Sequence, residues 1–119
     1  MTWFTAHTVM YVRFKDGRQD SYPVWENVLL IEATDGDDAY AKAVARAQTD
    51  EGDSQGSMTW DSRPAEWVLA GIRKVISVTH HATGLGSGDE ITYSEFLIQH
   101  RADLDSFVNG ELISVCYVE

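Results

Sequence analysis

The 119-residue chain predicts an α+β fold: a mostly antiparallel sheet of about five or six strands, with one main helix packed on one face. Three observations carry this. Residues 3–14 alternate apolar and polar with period two. Glu26 to Ala33 is an apolar run of strand length. Thr34 to Gln48 follows it at once, with alanines at helical spacing.

In the first strand Phe4, Ala6, Met10, Val12 and Phe14 share a face, interrupted by Thr8, so it reads as half-buried. Asp16-Gly17 then signals a hairpin, because a type I′ turn needs positive φ at both central residues. Pro23 has no ladder donor and belongs at a bulge or a strand start. Trp25 to Ala33 places Leu29 and Ile31 on one face and Val28 and Leu30 on the other. That predicts a central strand covered on both sides. Thr34 or Asp35 caps the helix, and Asp35, Asp37 and Asp38 suit the positive end of its dipole. Ala39, Tyr40, Ala43, Val44 and Ala47 form its inward stripe, with Lys42 and Arg46 away from it.

Asp50 to Gly56 is a polar loop, Met58-Thr59-Trp60 a short strand, and Pro64 a restart. Trp67 to Thr79 reads as a long strand. Val68, Ala70, Ile72, Ile76 and Val78 share a face broken by Lys74, and Gly71 marks a bulge or a close backbone approach. A loop holding Gly84, Gly86 and Gly88 leads to a strand over Ile91 to His100. There Ile91, Tyr93 and Leu97 oppose Phe96 and Ile98. Ala102 to Val108 is a short helical turn, Asn109-Gly110 a turn, and Leu112 to Val118 the last strand. With neither a repeat nor a linker, residues 1–119 are expected to form a single domain.

Four pieces, in order, carry a family resemblance: Trp3-Phe4 opening a strand; Glu26 to Ala33 with Asp38-Ala39 and Lys42-Ala43; Trp67 to Ile72; and Gly88 to Leu97 with its Tyr93-Ser94 opening. On these residues the chain resembles the bacterial domain-of-unknown-function family 4288, over residues 3–98. The segment 50–64 matches loosely, and the tail after His100 looks like an addition that covers a sheet edge or builds a subunit contact. The resemblance implies an α+β fold and brings no activity, cofactor or catalytic residue with it.

A net charge of −10 disfavours nucleic acid and anionic membranes and favours encounter with a basic partner. The lone Cys116 forms no internal disulfide and is expected to be a buried strand residue. The start, Met1 to Phe4, has no basic leader and no long apolar run, so a cytoplasmic location is expected.

Chemistry-bearing residues are scattered. Neighbours such as His80 and His81 on an extended chain point opposite ways, and convergence with His7 or His100 is unsupported, so no metal site is expected. Gly84 to Gly88 precedes a strand, whereas a phosphate loop precedes a helix. Glu32, Glu66 and Glu95 read as solvent-facing, and Ser94, Ser106 and Ser114 lack a nucleophile elbow. No catalytic residue and no cofactor is expected. Four tryptophans (Trp3, Trp25, Trp60 and Trp67) are many for this length, and tryptophan is enriched at interface hot spots. Trp25, Glu26, Trp67 and Tyr93 are therefore the candidate residues for contact with a partner or a second copy. The expected function is a non-enzymatic interaction module that forms a homo-oligomer, a dimer first of all, or binds a protein partner of basic charge. The alternative is a ligand-binding protein or hydrolase with a pocket between helix and sheet, using His7, Tyr93 and Glu95.

Overall fold

A computed structural model describes residues 1–78 and 84–118. The elements are β1 (Thr2–Phe14), β2 (Val24–Ala33), α1 (Gly36–Gln48), β3 (Thr59–Trp60), β4 (Arg63–Ser77), β5 (Glu95–Leu97), α2 (Ala102–Val108) and β6 (Cys116–Val118). An antiparallel sheet runs β2-β1-β4-β3, and β5 and β6 form a separate antiparallel pair. The α+β class holds. The strands are divided between two sheets instead of forming one of five or six.

β1 and β2 exchange the roles expected of them. Among the described residues β2 pairs only with β1 and is an edge strand, while β1 lies between β2 and β4 and is the buried centre. Residues 4–8 of β1 are buried on both faces, including Thr5, His7 and Thr8. The apolar run of β2 misled because Val28 and Leu30 remain 45% exposed. The Asp16-Gly17 reversal is present, with Gly17 at φ +123°, but the connection spans 15–23. The Gln19 side chain fills in for the missing ladder there. Its Nε2 donates to Val12 O at 2.7 Å, and its Oε1 accepts from Phe14 N at 3.1 Å.

β4 explains another departure. Its register against β1 shifts between His7 and Thr8 and again between Val9 and Met10, so Arg73 and Ala70 are extra residues in the strand. Each extra residue reverses the face on which the following side chains fall. Ile72 therefore lies with Thr8 on the α1 side, while Val68, Lys74 and Ile76 lie on the other. The single apolar face expected for Val68, Ile72 and Ile76 does not form. The bulges flank Gly71, where a Cβ would meet nothing within 4 Å, so the bend does not depend on glycine.

α1 follows the expected pattern. Asp35 is its N-cap and accepts from Asp38 N at 2.8 Å. Asp38 reaches back to accept from Thr34 N at 2.9 Å; that bond and one from Lys42 hold its carboxyl below the usual range. Ala39, Ala43 and Ala47 are buried against the sheet, and Phe4, Ala33 and Ala39 cluster with Ile31 and Val75. Tyr40, expected in the inward stripe, is exposed. After α1, Glu51 and Gly52 strap the free edge of β4. Gly52 and Trp67 exchange backbone bonds at 3.1 and 2.7 Å, and Glu51 Oε2 accepts from Leu69 N at 2.9 Å.

The C-terminal part is looser. Only 95–97 and 116–118 of the two expected strands pair, and Cys116 is exposed, not buried. A strand this short, paired with only one other, buries little on either face. Phe96 contacts Phe107 and Tyr117, with ring centroids 5.2 and 4.6 Å apart.

Candidate functional site

The four candidate contact residues fall on opposite faces of the sheet. Residues directly opposite in an antiparallel register share a face. Trp25 opposes Met10, and Trp67 opposes Val12, so both lie on the α1 side. Glu26 opposes Val9, and with His7 it lies on the second face, where Tyr93 also sits.

On the α1 side, Trp25 and Trp67 meet with centroids 4.9 Å apart and planes at 76°. Trp60 completes a triangle, 5.5 Å from Trp25 at 88° and 6.5 Å from Trp67 at 71°. The β3–β4 turn brings Trp60 here, through the Trp60–Arg63 pairing. A cleft of about 390 Å³ opens beside the rings where α1 ends, lined by Met10, Trp25, Asn27, Asp50 and Trp67. Trp25 stays 38% exposed. Asp50 Oδ1 accepts from Arg46 Nη1 at 2.9 Å. The sequence places Trp25 and Trp67 at strand ends, but that Trp60 joins them depends on the strand order.

The second face carries a polar brace. His7 is 2% exposed. Its Nδ1 donates to Glu26 Oε2 at 2.6 Å, and its Nε2 shares a hydrogen bond with Thr92 Oγ1 at 2.5 Å. The bulge aims Arg73 at the same carboxylate: Arg73 Nε donates to Glu26 Oε1 at 3.2 Å, and its guanidinium stacks on Tyr117 at 4.1 Å. Lys74 Nζ donates to Tyr93 O and lies 5.1 Å from the Tyr93 ring centroid. Burial alone would raise the Glu26 carboxyl, but bonds from His7 and Arg73 outweigh it and hold it below its ordinary value.

Carboxylate, imidazole and hydroxyl in a row form the connectivity that activates nucleophiles. Here the ring is buried and bonded at both nitrogens. It pins the segment around Thr92 across β1. The expected trio of His7, Tyr93 and Glu95 does not assemble, because the carboxylate on His7 is Glu26, and Glu95 is exposed on β5. Among the described residues no His, Cys, Asp and Glu cluster has metal-binding geometry. His80-His81 lies outside the described residues.

A family model described as "Domain of unknown function (DUF4288)" matches residues 3–92. The match takes in the main sheet, α1, the tryptophan triangle and the brace as far as Thr92. It ends before β5, α2 and β6. No curated protein and no solved structure matches the chain.

Proposed function

Because the chain belongs to the DUF4288 family, a domain of unknown function matched over residues 3–92, we propose from its surfaces that it is a non-enzymatic, cytoplasmic interaction module that self-associates. One observation carries this reading: the C-terminal segment, tied to the body at Thr92, Tyr93 and Tyr117, leaves the apolar side chains of α2 and the loop after it uncovered. No residue of α2 is buried, and Leu104, Phe107, Val108 and Leu112 are exposed. The radius of gyration is 17.5 Å, against roughly 13–14 Å for a compact chain of this length. Val28 and Leu30 on edge strand β2 offer a matching apolar strip. An uncovered surface of this kind favours burial against a second copy. The net charge of −10 keeps the assembly soluble and favours a basic protein as any further partner.

Sedimentation velocity at 1–100 µM tests the reading. A dimer that Phe107→Glu or Leu30→Glu converts to monomer supports it. A monomer across that range overturns it. A second reading, ligand binding, is favoured by the cleft between the end of α1 and the sheet. Its polar lining of one amide and one carboxylate supports binding over hydrolysis.

A further inference from the structure

We infer that the tryptophan cleft at the end of α1 is a binding site for a small organic cation of the alkylammonium class. The inference rests on the ligand-binding reading and is independent of self-association.

Three features of the cleft favour positive charge. First, two indoles, Trp25 and Trp67, line the cleft with their planes at 76°, and Trp60 packs edge-on behind them. An indole face carries the negative part of the ring quadrupole, and tryptophan is the strongest cation–π partner. Second, the Asp50 carboxylate lines the same cleft. Arg46 engages only one of its oxygens, in an exposed i,i+4 pair of the kind that contributes little. Third, Asp50 reaches the cleft just after α1 ends, so the cleft lies near the negative end of the helix dipole.

Shape and chemistry select within the cations. A volume of about 390 Å³ is at the small end of ligand pockets. The lining is indole, thioether, one amide and one carboxylate; Arg46 already takes one oxygen of that carboxylate, so a guanidinium meets no free two-oxygen fork and a metal ion no cluster of ligands. A diffuse ammonium charge wrapped in methyl or methylene groups fits both the aromatic walls and the single carboxylate. The overall charge of −10 raises the local concentration of such a cation.

Choline and its uncharged carbon isostere, 3,3-dimethylbutan-1-ol, separate cation recognition from greasy fit. Each is titrated into the ¹⁵N-labelled full chain while the four indole N–H signals are followed. Trp3 is the internal control, because it shares a face with Thr5 and His7, opposite the cleft. The expected result is that choline shifts the Trp25 and Trp67 signals and leaves Trp3 in place. The isostere should bind about two- to fivefold more weakly, as a cation–π contact on a partly exposed ring implies. Asp50→Asn, an exposed change that spares the fold, should weaken choline several-fold and leave the isostere unaffected; Trp67→Phe should weaken choline as well. Equal binding of the two probes, equal movement of Trp3, or no shift with 50 mM choline would each overturn the proposal. A monomeric protein that still discriminates between the probes would sink self-association and leave this site standing.

Discussion

Replacing Glu26 with glutamine removes the charge at the centre of the brace and keeps its shape. The carboxylate accepts from His7 Nδ1 at 2.6 Å and from Arg73 Nε at 3.2 Å. Glutamine has one carbonyl oxygen for these two donors and turns an NH₂ group toward the other. Hydrogen bonds to a charged group contribute about 1.5–3 kcal/mol each, and neutral ones about 0.5–1.5 kcal/mol. His7 is sealed from water and cannot replace its partner, whereas the Arg73 side chain, 18% exposed, recovers part of the loss. The net cost is about 2–3 kcal/mol. At an unfolding entropy of about 2.1 cal/mol/K per residue, this length loses about 4 °C per kcal/mol, so Tm should fall by about 8–12 °C. Thermal unfolding followed by circular dichroism at pH 7 measures it. The pH dependence gives an independent check. Glu26 has a lowered carboxyl pKa in the folded state despite its burial. Its stabilisation is therefore complete above the unfolded value of about 4.3 and is lost as pH falls through the lower native value. The gap between wild type and Glu26→Gln should close below about pH 4. A variant within 2 °C of wild type at pH 7, or a gap that persists unchanged at low pH, would refute the brace.

Thr92→Val should release the segment around it, and hydrogen exchange at residues 90–94 should rise while α1 keeps its protection. Ala43 is fully buried between α1 and the sheet, so Ala43→Leu should overpack it and cost about 1–3 kcal/mol in a urea titration. Gly52 sits at φ +133°, so Gly52→Ala should destabilise by about 1–2 kcal/mol through backbone strain alone, since its Cβ meets nothing within 4 Å. Asp35→Ala removes the cap bond to Asp38 N and should cost about 1 kcal/mol by the same urea measurement.

Local patterns were legible wherever a single element decides them. The alanine stripe of α1, its Asp35 cap and the strand span of β1 depend on neighbours within a few residues, and each appears as the sequence indicates, whereas the half-burial read from the alternation of β1 does not. So does the order of elements that carries the family resemblance, now matched over residues 3–92. What depends on partners far along the chain was not legible. Whether β1 or β2 is central is set by which side β4 joins, and the apolar content of β2 carries no such information. The faces of β4 were misread because two bulges reverse its alternation; Gly71 pointed to an irregularity there, but not to the two extra residues on either side of it. The brace brings together His7, Glu26, Arg73 and Thr92 from separate segments. No spacing in the sequence predicts it, because only the pairing of β1 with β2 and the return of the chain across the second face place those groups within bonding distance.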